Sequence, residues 1–150
     1  MTPQSSSSFK YDPQNGRTLA IDYGEKRVGL AVTDPLNMFA SGLPTLERTT
    51  KKPLTEQVAD ACSAYSFKAI MIGLPLHMNG NESEKSQEVR QFASEMENCF
   101  EGPIRLIDER LSSFEAEERL KAQGIQPSKN KGLIDQMAAK ILLEESALGY

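Results

Sequence analysis

The sequence predicts an α/β fold, a mixed five-stranded sheet with helices on both faces, and three observations predict it. The patterned part of the chain opens with a β-hairpin: "TLAIDYG" and "RVGLAVTD" are apolar and β-branched, and "YGEK" between them carries turn chemistry. Behind it, short apolar runs alternate with segments whose apolar residues recur at helical spacing. The 150 residues contain no internal repeat and no second set of elements, so the pattern describes one domain. An antiparallel start followed by strand–helix alternation implies a mixed sheet covered on both sides.

Residues 1–16, "MTPQSSSSFKYDPQNG", are polar and punctuated by Pro and Ser, which predicts a disordered tail before a domain at 17–150. A third short strand falls within "FASGLPTLER". Pro53 stands where a helix can begin, and Leu54, Val58, Ala61, Cys62 and Tyr65 follow at helical spacing. "KAIMIGLP" is an apolar run closed by Gly and Pro, the pattern of a buried strand. The loop "HMNGNES" leads to a helix with Asn81 as its expected cap and Glu84 in the capping-box position. Val89, Phe92, Ala93, Met96 and Phe100 form that helix's buried stripe. "PIRLIDER" is the last strand, with Pro103 tolerated at its start. Ser112 and Glu115 have capping-box spacing for a helix that Gly124 ends. After the loop "QPSKNK", a helix from about Lys131 carries Leu133, Ile134, Met137, Ala138, Ile141, Leu142 and Leu148.

Composition narrows the function. With 39% hydrophobic and 25% charged residues the chain has ordinary globular composition, and no apolar stretch approaches the roughly 20 residues of a membrane helix. The N-terminus lacks the pattern of an export signal, which predicts a cytoplasmic protein with no membrane partner. In that compartment Cys62 and Cys99, which share no metal-ligand spacing, are expected to stay reduced. The net charge of -4 gives no bulk signal for nucleic acid, although a local basic patch is compatible with it.

The acids carry more. Ligands of such sheets gather beyond the carboxyl ends of the parallel strands. Asp22 ends the first strand and "DER", Asp108 to Arg110, ends the last, so acidic strand ends from distant parts of the chain can meet there. Asp135 flanks the apolar stripe of the last helix, one turn from Ala138 and Ala139, whose small side chains let a helix lie close to a sheet. Three carboxylates at one point require a cation, and oxygen ligands without His or Cys favour magnesium or manganese, ions suited to attack on a phosphate ester. Each acid also has an ordinary account. Asp22 suits a turn bonded to Gly24, Asp108 or Glu109 suits an ion pair, and Asp135 suits a charge near a helix N-terminus. The combination is more specific than any member.

Four segments in order, "LAIDYGEKRVGLAVTD", "IGLPLHMNGNES", "IRLIDERLSSFEAE" and "KGLIDQMAAKILLEE", resemble the YqgF/RuvX family, from about Leu19 to the C-terminus. The resemblance implies a ribonuclease H-like fold related to the Holliday-junction resolvase RuvC. It implies a cytoplasmic nuclease of the two-metal-ion type that processes the 5′ end of precursor 16S ribosomal RNA. The family's acidic positions fall on Asp22, on the "DER" element and on Asp135, and the family pattern favours Glu109 over Asp108 as the metal-facing acid. Asp22, Glu109 and Asp135 are thus the expected catalytic and metal-binding residues. Lys26, Arg27, Arg110 and Lys131, close to them in sequence, are the expected contacts to nucleic-acid phosphates, though each is equally well explained as a solvated charge. "DERLSS" has serines where the family usually has threonine, which keeps the hydroxyl, and "HMNGNES" departs from the usual loop. His77, the single histidine, lies in that loop and is left outside the set.

Two activities compete with RNA processing: cleavage of structured DNA as in a Holliday-junction resolvase, and non-catalytic RNA binding by a ribosome-assembly factor, with ribosomal particles as partners. An actin- or Hsp70-like kinase also places Asp and Gly in a first hairpin, but needs a second phosphate hairpin and an adenosine pocket that this chain does not show.

Overall fold

The computed structural model describes residues 8–109 and 112–147, with side chains except at 112 and 113. The strands are β1 (Lys10–Tyr11), β2 (Arg17–Asp22), β3 (Arg27–Thr33), β4 (Ala40–Gly42), β5 (Leu46–Glu47), β6 (Ser66–Leu74) and β7 (Ile104–Asp108). The helices are α1 (Leu54–Ala61), α2 (Glu84–Met96), α3 (Ser112–Ala122) and α4 (Lys131–Ser146), with a 3-10 turn at Pro127–Lys129. β6 is the centre. It pairs in parallel with β2 on one side and with β1 and β7 on the other, and β2 continues antiparallel through β3 to β4 and β5.

The five expected strands are β2, β3, β4, β6 and β7, and two short ones are added. β5 arises because the third strand is interrupted at Pro44, which lacks an N–H to donate. Three residues, 43–45, stand opposite two of β3 before pairing resumes at Leu46. β1 corrects the expected tail. Lys10–Tyr11 pairs with Ser66 and Phe67, and Phe9 is buried with its ring edge-on to Phe67 and Phe100 at 6.1 and 6.3 Å. The polar window around Phe9 hid this, because its partners lie more than fifty residues away.

Two caps differ from expectation or lie outside the description. α2 is capped by Ser83, not Asn81: Ser83 Oγ accepts from Ser86 N at 2.9 Å and Ser86 Oγ accepts from Ser83 N at 2.7 Å. Asn81 serves the loop instead, its carbonyl accepting from His77 N at 2.9 Å. The cap expected at Ser112 lies outside the described side chains, as Arg110 and Leu148 lie outside the described residues. α3 is followed, as expected, by Gly124 at φ +79°.

Register divides the sheet into two unlike faces. The pairs Leu19–Val32 and Ile21–Leu30, with Ile70, Ile72 and Leu74 of β6, point toward α1 and α2. There they meet Val58, Val89, Phe92 and Met96 in the main core. The intervening pairs, Ala20–Ala31 and Asp22–Gly29, point toward α4. Ala20 and Ala31 pack against Ala139, Leu142 and Leu143. The other side of α4 is also buried, since Ala138 and Ile141 pack with Ala116 of α3. Arg119 joins the two helices by ion pairs to Glu144 at 2.6 Å and Glu115 at 3.1 Å. Both cysteines are free thiols, and burial pushes that of Cys62 up to about 12.

Candidate active site

Asp22 is the last residue of β2, and both of its neighbours across the sheet are glycines. On β3 it pairs with Gly29. On β6 the residue after the Ile21–Ile72 pair is Gly73. The space of each missing side chain is filled by another acid. A Cβ on Gly29 would collide with the main-chain O and C of Asp135, so Gly29 is what allows α4 to lie directly on the sheet. A Cβ on Gly73 would collide with the carboxylate of Glu109. The acids from the first strand, the last strand and the last helix are therefore neighbours on one face at one end of the sheet.

Glu109 reaches this place by alternation along its strand. Gly73 pairs with Ile107, which packs on the α4 side, and Glu109 is two residues further on the same face. Asp108 pairs with Leu74, on the face of the main core, and is exposed. Glu109 N donates to Leu74 O at 3.2 Å, which extends the β6–β7 alignment one step beyond the strand.

Asp22 and Glu109 are hydrogen-bonded to each other. A bond between two carboxyl groups needs a shared proton. Burial pushes the Asp22 carboxyl up from 3.8 to about 6; the negative charge of Asp135 adds to this, while the bond to Glu109 and the charge of Lys85 oppose it. Asp135 is also raised, by burial first, with the nearby Arg27 opposing. Arg27 Nε donates to Asp135 Oδ2 at 3.1 Å, both side chains retaining about a quarter to a third of their exposure, 30% and 26%. Two further bonds seat the start of α4: Thr45 Oγ1 donates to Gly132 O at 2.5 Å and Gln136 Nε2 to Leu43 O at 2.7 Å.

The cations divide. Arg27 is engaged with Asp135. Lys26, in the β2–β3 turn, and Lys131, the first residue of α4, are exposed at the same end of the sheet. His77 is exposed in its loop. Lys85, in the first turn of α2, escaped the sequence reading although its charge acts on both Asp22 and Asp135. Sequence distance concealed it, since only the fold brings α2 to Asp22. The two glycines were open to detection as the residues flanking each acidic strand, but only register shows which acid each admits.

The donor set is all oxygen, which fits a hard divalent ion. In the state described, Asp135 is held by Arg27, and among the described residues no three His, Cys, Asp or Glu side chains stand close enough to hold an ion as they are.

A family model described as "RuvX: Holliday junction resolvase" matches residues 16–148. The chain belongs to the RuvX family. RuvX relatives confirm this over nearly their whole length. A protein of Maridesulfovibrio salexigens, 41% identical over 128 residues, covers 85% of this chain and 95% of its own, and is named "Putative pre-16S rRNA nuclease". A relative of the same name from Dictyoglomus thermophilum is 38% identical over 129 residues, 86% of this chain and 93% of its own. Among solved structures, the fowlpox virus resolvase in complex with Holliday junction DNA covers 88% of this chain and 99% of that one, with a TM-score of 0.52 at 12% identity. That likeness is one of fold, and the RuvX chain has the ribonuclease H-like architecture.

Proposed function

We propose that the protein is a divalent-metal-dependent nuclease that hydrolyses phosphodiester bonds at the 5′ end of precursor 16S ribosomal RNA, acting in the cytoplasm on ribosomal particles. The observation that carries this is the gathering of Asp22, Glu109 and Asp135 over two glycines, with the Asp22 and Glu109 carboxyl groups in hydrogen-bonding contact. The names of relatives at about 40% identity support the substrate.

Magnesium or manganese would be held by Asp22, Glu109 and Asp135, in a site of the two-metal-ion type. Bound there, a hard divalent ion supplies Lewis-acid polarisation of the phosphodiester. The chain's own groups do the rest. Glu109 and Asp22 offer carboxylate oxygens, Asp22 once it ionises near pH 6. Arg27 holds one oxygen of Asp135 and leaves the other to the site. Lys26 and Lys131 stand at the rim to meet flanking phosphates, a role the sequence reading also gave to Arg110.

The test is cleavage of a labelled precursor-rRNA fragment by purified protein with magnesium, with manganese and with chelator. The reading requires cleavage with either ion and none in chelator, and undiminished cleavage in chelator would overturn it. The family's description as a Holliday junction resolvase supports a second reading, structured DNA as substrate. A four-way DNA junction run beside the RNA decides between them by relative kcat/KM. An intact protein that binds the RNA and cleaves neither would be a ribosome-assembly factor.

A further inference from the structure

α2 lies on the main-core face of the sheet, opposite α4, yet its first turn comes to the acid cluster. Ser83 Oγ donates to Pro75 O at 2.7 Å, which pins the start of α2 two residues beyond Gly73, the glycine beneath Glu109. The turn is held further by the Ser83–Ser86 capping box and by Arg90, which clasps both oxygens of Glu82 at 2.8 and 2.9 Å. Lys85 projects from this fixed turn. Its side chain is exposed, and among the described residues its ammonium has no ion-pair partner. Ser83 is held at Pro75, two residues beyond the glycine beneath Glu109, so Lys85, two residues further along the chain, stands on the α2 side of the acid cluster, with Arg27 on its α4 side. Arg27 is occupied and Lys85 is not.

We propose that Lys85 is a substrate-binding residue of this site, contacting a backbone phosphate of the RNA as it crosses from α4 toward α2. This rests on the nuclease reading above. The contact belongs to the ground state as much as to the reaction, so it acts on KM rather than kcat. A lysine meeting one phosphate releases counterions, and its loss lowers the salt slope of binding to a single strand by about 0.7.

The experiment is fluorescence anisotropy of a short fluorescein-labelled single-stranded RNA, titrated with protein in calcium over a series of salt concentrations. Lys85→Gln is expected to weaken binding roughly tenfold at low salt and to flatten the slope by about 0.7, while Lys85→Arg stays near wild type. In magnesium, Lys85→Gln raises KM with kcat nearly unchanged. Lys121→Gln, on α3 beside Glu118, is the control for loss of one remote charge and should leave all values alone. Wild-type affinity and slope in Lys85→Gln, with wild type itself binding and cleaving RNA, overturns the role of Lys85 alone. An equal loss in Lys121→Gln overturns it as a mere net-charge effect. A wild-type protein that neither binds nor cleaves RNA overturns the nuclease reading and this inference together.

Discussion

The two faces of the sheet are built from the same strands by alternation, yet their residues are unlike. Toward α1 and α2 the strands present Leu19, Ile21, Leu30, Val32, Ile70 and Ile72, a layer of large side chains that fills the main core. Toward α4 the same strands present Ala20, Ala31, Gly29 and Gly73, with Asp22 among them. Large side chains hold a helix away from a sheet and stabilise by burial, about 1.5–3 kcal/mol for each one fully buried. Small ones allow backbone to approach backbone, which gives less buried area per residue but carries a charged side chain of the helix to the sheet. One face is therefore specialised for stability and the other for assembling acids that repel each other.

That division can be broken from either side. The largest effect is expected on the α4 face. Glu109→Gln should lower kcat for RNA cleavage about 10³-fold, roughly 4 kcal/mol of barrier, with little change in melting temperature, while Asp108→Asn stays close to wild type. Steady-state kinetics on the two variants decides it, and a more severe Asp108→Asn would move the metal-facing acid to the main-core face.

On the other face, Leu30→Ala removes a fully buried side chain and should cost about 3 kcal/mol. Denaturant unfolding would show the loss, and kcat measured where the variant is still folded should be unchanged. A large fall in kcat there would mean that the main core also sets the geometry of the acids.

Gly29→Ala adds one methyl where the obstacle is the backbone of α4, which cannot rotate aside. It should cost about 2 kcal/mol and also lower activity, because displacing α4 withdraws Asp135. Loss of stability with full activity would show that the close approach serves packing alone.

Asp22→Asn should stabilise the metal-free protein. The folded carboxyl titrates near 6 against 3.8 ordinarily, so between these values the native state holds a proton that the unfolded chain has lost. The contribution is complete below 3.8 and disappears as pH rises through about 6. In chelator at about pH 8 the variant should unfold roughly 2 kcal/mol later than wild type, and the advantage should fade toward about pH 4. A constant difference across that range would assign the effect to something other than ionisation.

The smallest effect is expected for Asp135→Asn in chelator, within about 0.5 kcal/mol of wild type. Relief of repulsion toward Asp22 is offset by leaving Arg27 without its carboxylate. The three acids alone suggest a larger gain from neutralising Asp135, and the Arg27 ion pair is what transfers that expectation to Asp22.

Much of the architecture was legible locally. The hairpin around "YGEK", the buried strand "KAIMIGLP" and the stripe Val89, Phe92, Ala93 and Met96 stand where periodicity and turn residues put them, while Phe100 is buried but lies beyond the end of α2. The failures have a common cause. β1 was missed because Phe9 finds its partners across the fold, and Ser83 displaced Asn81 as a cap because Asn81 is needed by the loop. Leu133 remains 38% exposed, since α4 is buried between the sheet and α3 along lines that a single stripe does not describe.

By itself the sequence determined the longer strands and the helices, that they make an α/β sheet, and which acids end the strands, because those properties depend on neighbours within a turn or a strand. The tertiary structure decided what the acids meet. Strand register placed Asp22 between Gly29 and Gly73, and alternation turned Glu109 rather than Asp108 toward it. The docking of α4 paired Asp135 with Arg27, and the capped start of α2 brought in Lys85. Each of these is a contact between segments far apart in the chain. Electrostatic and steric forces act over a few ångströms of space whatever the number of residues between the groups, so only the closed fold could set them.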